Sequence, residues 1–358
     1  WRKIMSKLIV EVVKIEKVIK HPNADRLSIA LVKGWNCIIG LDQQKAGDLV
    51  IFCPIDSIIP EDIIEKYKLE YLKGHGRVIT VKLRKCISQG LILEIPKGKK
   101  WKEGKDVAKE LGITKYEAKA PSYQPYAKKP TKRKMNPAFD KYTDIDNIKN
   151  YKQIFKEEDT VVVTEKIHGT NFRAGLLSRY KGNLWGRIKA FLFGKYEFVY
   201  GSHNVQLKHS TAKCNFYGED IYGRMAKKYK LAEVIPEDYI VYGEIYGKGI
   251  QDLEYGKKEI DIVFFDVKHK EKYLDWKAFK LFCTLYELPI VPVLGIEGYG
   301  EDTIPTHTEG KSLLCSTQVR EGCVIKPLIE ENHYRIGRKI LKSINSTYLL
   351  RKGGTEYK

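Results

Sequence analysis

The stretch that decides the fold reads TEKIHGTNFR and covers residues 164–173. It follows three consecutive valines, residues 161–163, whose β-branched side chains favour a buried strand. Lys166 therefore comes at the end of a strand, where a rigid backbone directs its amine into a pocket. Gly169 follows three residues later and lets the backbone pass close to a bound molecule, because it has no Cβ. A lysine in this setting is suited to act as a nucleophile, but the pattern alone is weak, because a lysine at a strand end is usually just solvated.

The composition is that of a globular protein with a large excess of positive charge. The 358 residues are 43% hydrophobic and 30% charged, and the formal net charge is +19. A chain of this length accommodates two domains of ordinary size. The charge favours polyanionic partners, because binding releases condensed counterions. A lysine-rich surface that only reflects genome bias is the alternative.

Membrane-spanning and disulfide-rich classes do not fit the sequence. No apolar run approaches the roughly 18 to 20 residues that cross a bilayer. The seven cysteines are scattered and form no CxxC pair, which predicts neither a zinc site nor a disulfide framework. We therefore expect a reducing compartment, cytoplasmic or nucleoplasmic, with no membrane partner and a monomeric chain.

The first hundred residues consist of short strand patterns separated by turns. Runs rich in Val and Ile at residues 6–17, 27–40, 48–55 and 78–83 alternate with segments rich in Pro, Gly, Asn and Asp. Strands without a long helix between them predict a small closed β-barrel.

A basic stretch that contains prolines separates this region from the rest. Residues 120–134 read APSYQPYAKKPTKRK, without a large aliphatic side chain, which predicts a linker. Strand and helix patterns are mixed in the segment that follows. The sequence thus predicts an α+β protein, with a barrel domain at residues 1–118, a basic linker at 119–136 and a mixed α/β domain at 137–358.

The segment VVKIEKVIKHPNADRLSIALVKG, residues 12–34, resembles OB-fold domains of the tRNA-binding type. Its HPNADRL part is a turn in that family, and Pro22 and Asn23 suit a turn because one fixes φ and the other bonds the backbone. The resemblance implies RNA binding through the barrel face and its loops. The candidate RNA contacts of this domain are Arg26, Lys33, Trp35, Lys82, Arg84 and Lys85. Each of them is otherwise a solubilising surface residue.

Four further segments follow the lysine in the order and spacing of one enzyme family. They read VYGEIYG (241–247), DIVFFDV (261–267), EGCVIKP (321–327) and KILKSIN (339–345). With the KxHGxN form of the first segment, they resemble the motifs of covalent lysyl-nucleotidyltransferases of the RNA ligase type. The leading OB domain is similar to Naegleria-type and Deinococcus-type ligases. The resemblance implies an adenylyltransferase (ATP-grasp-like ligase) fold for the second domain.

The resemblance also implies roles for individual residues. Lys166 forms the covalent AMP adduct, and Glu165 accepts a hydrogen bond from the adenine amino group. Lys326 and Lys342 are catalytic with Lys166, because cations neutralise the phosphates and orient the leaving pyrophosphate. The residues assigned to ATP binding are Glu165, Lys166, Ile167, Asn171, Glu244, Phe265, Lys326 and Lys342.

The family also implies a divalent metal ion and an aromatic side chain stacked on the purine. Glu321, together with Glu244, is the expected ligand of Mg²⁺ or Mn²⁺, which prefer oxygen ligands. Phe265 is the expected stacking residue, with Phe264 as the alternative. Because side chains alternate along a strand, only one of the two is expected to face the pocket.

Two positions depart from the family pattern. Many relatives carry KxK in the last motif, and Ile344 stands where the second lysine would lie. His203 stands where relatives often carry an arginine, so it is a candidate RNA contact without that arginine's charge. Lys208 and Arg173 are the alternatives for the phosphate contact.

These expectations combine into one reaction. The resemblance implies an ATP-dependent RNA ligase that acts in RNA repair and joins 3′-OH and 5′-phosphate RNA ends. The expected substrate is a nick, and the intermediates are lysyl-AMP and AMP-RNA. The alternatives are a member of the superfamily that acts on DNA or uses GTP, and a non-catalytic RNA-binding adaptor. The intact Lys166, Glu244, Glu321 and Lys342 argue against the adaptor.

Overall fold

The protein forms two compact units in a computed structural model that describes residues 8–116, 135–180, 184–207, 219–351 and 354–355. The first unit comprises Trp1–Ala118, Asp146–Gln153 and Ser343–Lys358. The second comprises Lys119–Ile145 and Ile154–Lys342. Most of the predicted linker lies outside the described residues. The first unit therefore takes two short segments from the part of the chain that follows the linker.

Strands dominate the described part of the chain. The strands are β1 (Glu11–Lys14), β2 (Lys17–Lys20), β3 (Leu27–Val32), β4 (Trp35–Gly40), β5 (Leu49–Cys53), β6 (Ser57–Ile58), β7 (Val81–Leu83), β8 (Cys86–Ser88), β9 (Leu91–Leu93), β10 (Thr114–Lys115), β11 (Asp146–Asn147), β12 (Thr160–Lys166), β13 (Thr170–Ser178), β14 (Tyr196–Gly201), β15 (Tyr239–Gly247), β16 (Ile260–His269), β17 (Lys272–Tyr273), β18 (Val293–Gly298), β19 (Gly322–Pro327), β20 (Asn332–His333), β21 (Gly337–Arg338) and β22 (Leu341–Ile344).

Helices are shorter and mostly belong to the second unit. The helices are α1 (Glu61–Lys66), α2 (Leu184–Phe193), α3 (Ile221–Lys228), α4 (Leu231–Val234), α5 (Trp276–Leu285), α6 (Thr303–Thr308) and α7 (Ser346–Leu349). No helix of the described residues is both long and apolar enough to cross a membrane.

The first unit packs short antiparallel strands around an apolar core. One sheet has the order β1-β5-β9 and another has the order β2-β3-β4. Burial alternates along β3: Ala30 and Val32 are buried, whereas Ile29 and Leu31 are partly exposed. This alternation is typical of antiparallel strands with one face on a core.

The second unit contains two sheets. In one, the antiparallel strands follow the order β14-β13-β15-β16-β17. In the other, β12 lies between β18 and β19 and pairs antiparallel with both. Strand β22 begins in this unit and lies next to β19. The valines at positions 161–163 are fully buried, because β12 is central in its sheet.

Helix α5 covers one side of this unit's core. Its residues Trp276, Phe279 and Cys283 are buried at the i, i+3, i+7 spacing of one helix face. They belong to the same apolar cluster as Phe264 of β16. This face of α5 therefore packs directly against the sheet that contains β16.

A β-bulge separates the two neighbouring phenylalanines of β16. Tyr242 pairs with Asp266 and Gly243 pairs with Phe264, so Phe265 has no residue opposite it on β15. Phe264 is 0% exposed in the core, whereas Phe265 is partly exposed.

We predict that Phe264→Ala lowers the free energy of unfolding by roughly 3 to 5 kcal/mol, because it leaves a cavity in a closed core. Tyr334→Ala is the control, since Tyr334 is 90% exposed, and it should cost less than about 0.5 kcal/mol. Urea unfolding of both variants measures the difference. Equal losses in the two variants would contradict the core assignment.

Candidate active site

A buried ion pair joins the predicted nucleophile to the predicted metal ligand. The Lys166 ammonium at the end of β12 donates to Oε1 of Glu321 at 2.7 Å. Glu321 directly precedes β19, and Gly322 lies opposite Lys166 in the strand pairing. The Glu321 side chain is 1% exposed. Burial opposes its ionisation, but Lys166 and His168 outweigh that effect and lower the pKa of the Glu321 carboxyl.

The loop that follows Lys166 is held by a segment beyond β15. Tyr255 accepts a hydrogen bond from the backbone N–H of His168 at 2.7 Å. Asp252 Oδ1 lies 2.7 Å from His168 Nε2, and Gln251 donates to the carbonyl oxygen of Gly169 at 3.3 Å. We call Gln251, Asp252 and Tyr255 the clamp. Sequence reasoning missed these residues, because nothing local in the sequence distinguishes them from other polar loop residues.

His168 links the clamp to the predicted metal ligand. Its Nδ1 atom lies 3.7 Å from Oε2 of Glu321, while its Nε2 atom contacts Asp252. The imidazole is 3% exposed and the Asp252 side chain is 53% exposed. Asp252 therefore fixes the ring from the solvent side, so that the opposite nitrogen points toward Glu321.

Besides Glu321 Oε2, two buried acceptors near the nucleophile have no hydrogen-bond partner among the described residues: Glu165 Oε1 and Asn171 Oδ1. The other Glu165 oxygen accepts from the backbone N–H of Leu313 at 2.8 Å. Burial raises the pKa of Glu165, although hydrogen bonds from Ser312 and Leu313 oppose the shift. Because a buried unpaired acceptor is costly, both atoms indicate donors that a ligand brings.

Glu244 places a second carboxylate close to the ion pair. It lies on β15, directly opposite Asn171 of β13. Burial raises the pKa of Glu244 to about 8, and the like charge of Glu321 adds to the shift while Lys166 opposes it. Among the described residues, no group of three or more His, Cys, Asp and Glu side chains has the arrangement of a metal site. Glu244 and Glu321 thus place two carboxylates near Lys166.

Lys326 belongs to a buried polar network that joins the two sheets of the second unit. Its ammonium donates to Asp266 of β16 at 2.8 Å and to Glu330 at 3.4 Å. Asp266 is also bonded to Tyr142 at 2.6 Å and to Arg338 at 2.7 Å. Burial opposes the ionisation of Asp266, but Arg338 and Lys326 outweigh it and lower the pKa of its carboxyl.

The remaining predicted nucleotide contacts are largely buried. Lys342 on β22 is 6% exposed and Ile167 is 4% exposed. Ile344, which stands in place of a second lysine and is not a predicted contact, is 4% exposed. Phe265 packs edge-on against Tyr142, with a distance of 4.8 Å between ring centroids. Its position in the bulge leaves it partly exposed, unlike the Phe264 ring.

His203 and Arg173, two candidates for the phosphate contact, differ in exposure and in their contacts. The His203 imidazole is 33% exposed and lies 3.7 Å from an oxygen of Asp144. Arg173 is fully buried and donates to the carbonyl oxygens of Phe139 and Ser202 at 2.6 and 3.0 Å. Arg173 therefore acts within the fold, and Lys208 lies outside the described residues.

Two turns of the first unit are fastened to each other. The Asn23 side chain donates to the carbonyl oxygen of Arg84 at 2.9 Å. The Nε2 atom of His21 lies 3.3 Å from the carbonyl oxygen of Leu83. Arg26 belongs to the same turn as Asn23. The two hairpins that carry Arg26 and Arg84 therefore lie side by side, and both side chains are exposed.

The other cationic candidates of this unit differ in setting. Lys82 is exposed on β7, next to the Arg84 turn. Lys33 lies in the turn between β3 and β4, where its ammonium pairs with Glu11. We call the exposed cations of these neighbouring turns, Arg26, Lys82 and Arg84, the basic patch. Lys33 belongs to an ion pair, and Trp35 is only 3% exposed, so the prediction that Trp35 contacts RNA is wrong.

Two family models match the chain. A model described as RNA ligase matches residues 159–344, and an OB-fold domain model matches residues 9–95. No curated protein matches the chain. The matched ranges fall on the segments from which the sequence predicted a nucleotidyltransferase and an OB domain.

The chain is also similar to solved structures of Naegleria gruberi RNA ligase. A mutant with AMP and Mn is 23% identical, with a TM-score of 0.73 over 97% of this chain and 99% of that chain. A mutant with ATP and Mn is 23% identical, with a TM-score of 0.73 over 97% and 100%. The same enzyme with PPi is 23% identical, with a TM-score of 0.71 over 98% and 98%. The predicted fold class, a leading OB domain and a mixed α/β domain, is confirmed.

We predict that Gly169→Ala destabilises the second unit, because an added Cβ would lie 2.1 Å from the carbonyl oxygen of Ile245. The expected loss is about 1 to 3 kcal/mol, the usual cost of overpacking. Gly300→Ala is the matched control, since a Cβ there meets nothing within 4 Å. Thermal unfolding compares the two variants. A Gly169 variant as stable as the control would show that the loop is not pressed against β15.

Proposed function

Because the chain belongs to the RNA ligase family, whose model matches residues 159–344 of its 358, we propose that it is an ATP-dependent RNA ligase acting through lysyl-AMP. The observation that carries the proposal is the contact between Lys166 at a strand end and the buried carboxylate of Glu321, at 2.7 Å. Solved structures of the Naegleria enzyme with ATP, AMP and Mn support the same nucleotide and a divalent metal.

The first step is transfer of AMP to the enzyme. The Nζ atom of Lys166, after losing a proton, attacks the α-phosphorus of ATP. A nitrogen–phosphorus bond forms, the bond from that phosphorus to the bridging oxygen breaks, and pyrophosphate leaves. The covalent intermediate divides one difficult condensation into activated steps.

Recognition of adenine rests on the unpaired acceptor of Glu165. The Oε1 atom is buried and has no partner among the described residues, which suits the amino group of adenine. Guanine carries a carbonyl oxygen at the same position, and that oxygen would repel the carboxylate. Phe265 supplies an aromatic face for stacking, and Asn171 supplies a second buried acceptor.

The residues present fit a divalent cation held jointly with the substrate. Glu321 Oε2 is buried without a hydrogen bond among the described residues, and Glu244 lies close to the same ion pair. Mg²⁺ is usually bound through one or two carboxylates together with substrate phosphates. When bound, such an ion neutralises phosphate charge. With its Glu321 carboxylate partly engaged by such an ion, the Lys166 ammonium would lose part of its counter-charge, which would favour the free amine.

Phosphate neutralisation also falls to the lysines of the last two motifs. Lys342 is buried on β22 beside β19, which carries Lys326. We assign Lys342 to the α-phosphate. Lys326 pairs with Asp266 and Glu330 and thereby holds the two sheets together. In this proposal its positive charge also acts on the nucleotide.

The later steps use RNA. The AMP passes from Lys166 to the 5′-phosphate of one RNA end, and a 3′-OH then displaces AMP to form the phosphodiester. In this proposal residues 1–118 bind the RNA, residues 119–136 link, and residues 137–358 carry the chemistry on nicked RNA in a repair pathway. The exposed basic patch of Arg26, Lys82 and Arg84 would contact phosphates, and His203 is a further RNA contact.

We predict that Lys166→Ala abolishes sealing of 5′-phosphate RNA with ATP but retains sealing of RNA that already carries a 5′-adenylate. The reason is that the amine takes part in the first two steps, where it accepts AMP from ATP and passes it to RNA, whereas the last step starts from RNA that already carries the adenylate. A gel assay of both substrates in a nicked duplex measures this, with Lys248→Ala, an exposed lysine of the same unit, as the control. Retained ATP-dependent sealing would remove Lys166 as the nucleophile, and preference for GTP or DNA ends would redirect the proposal.

We predict that Asp252→Ala lowers the rate of self-adenylylation by about 10- to 100-fold, the usual effect of removing a partner that orients a ligand. The physical reason is that His168 loses the contact that orients it toward Glu321. Glu254→Ala is the control, an exposed acid of the same loop. An Asp252 variant as fast as this control would show that the clamp does not act on the site.

A further inference from the structure

Helix α2 exposes an unusual amount of apolar surface. Trp185 is 72% exposed, Ile188 43%, Phe191 90% and Leu192 63%. At about 100° per residue these four positions fall within an arc of roughly 120°, so they form one stripe on the outside of the helix. Contiguous apolar surface of this kind indicates a binding site.

The sequence around this stripe is strongly basic. Residues 179–195 contain the five cations Arg179, Lys181, Arg187, Lys189 and Lys195, and no Asp or Glu. On the wheel of the helix, positions 187 and 189 come at the two edges of the apolar arc. An apolar stripe with a cation position on each side is typical of helices that lie in a membrane interface.

The same features disfavour other occupants. A second copy of the chain would bring the same five cations against each other. RNA would use the cations and could stack on the aromatic rings, but it offers no partner for the aliphatic side chains of Ile188 and Leu192. An anionic bilayer accepts all of them, because acyl chains receive the apolar stripe and headgroups receive the cations.

We propose that α2 docks this protein on membranes that contain anionic phospholipids, with Trp185, Ile188, Phe191 and Leu192 inserted at the headgroup boundary. This goes beyond the proposed function and does not depend on it. The sequence led us to expect no membrane partner, because no spanning segment is present. A helix that lies in the interface needs no spanning segment.

The test is co-sedimentation of the full chain with vesicles of phosphatidylcholine and phosphatidylglycerol. The double variant Phe191→Ser/Leu192→Ser retains every cation, so binding through charge alone predicts no change. Insertion of the helix predicts that the apparent partition coefficient falls about tenfold or more. The matched control is Leu281→Ser/Leu285→Ser on α5, where the two leucines are 70% and 69% exposed.

Three outcomes would overturn the proposal. They are equal vesicle binding by the double variant and the parent protein, a comparable loss in the α5 control, and a loss in the variant of RNA binding or self-association in place of vesicle binding. Support would come from a loss confined to the α2 variant, with the parent bound at salt concentrations that release a purely electrostatic contact. Sealing of RNA free in solution should be unchanged in the α2 variant.

Discussion

The pairing of β12 with β19 is the constraint on which the site depends. It places Gly322 opposite Lys166, and the carboxylate that precedes Gly322 is thereby buried 2.7 Å from the amine. A buried carboxylate without a counter-charge is strongly unfavourable, so removal of the Lys166 ammonium alone would leave Glu321 in a costly state. A shift of one residue in this pairing would move Lys166 to the other face of its sheet.

In the site, the buried Glu321 carboxylate has a counter-charge in Lys166, but several buried oxygens lack a hydrogen bond. Glu165, Asn171 and Glu321 each keep a buried oxygen without a partner among the described residues. Such atoms cost stability in the free protein, and a ligand that supplies donors or a cation recovers it. These oxygens suit the nucleotide and metal ion of the proposed function. In the free protein, Lys166 and Glu321 are paired with each other.

Local pattern predicted much of this arrangement, because strand ends and motif residues are encoded nearby in the chain. The valines before Lys166 predicted a buried strand, and alternation predicted that Phe264 and Phe265 differ in exposure. Contacts between residues far apart in the sequence could not be predicted this way. Asp252 lies 84 residues from His168, and Asp266 lies 60 residues from Lys326. Arg173 was a candidate for a phosphate, yet its place inside the fold follows from tertiary packing that no spacing reveals. The compact units are also not continuous in sequence, since Asp146–Gln153 and Ser343–Lys358 group with the first unit, and no local pattern indicates such a grouping.

The most direct measurement is peptide mass spectrometry of the protein after incubation with ATP and Mg²⁺ or Mn²⁺. The account predicts one added AMP, located on the peptide that contains Lys166 and assigned by fragmentation to that side chain. Addition of hydroxylamine in mild acid should remove it, since a phosphoramidate is labile there. An unmodified Lys166 under both metals, or AMP on another residue, would contradict the account.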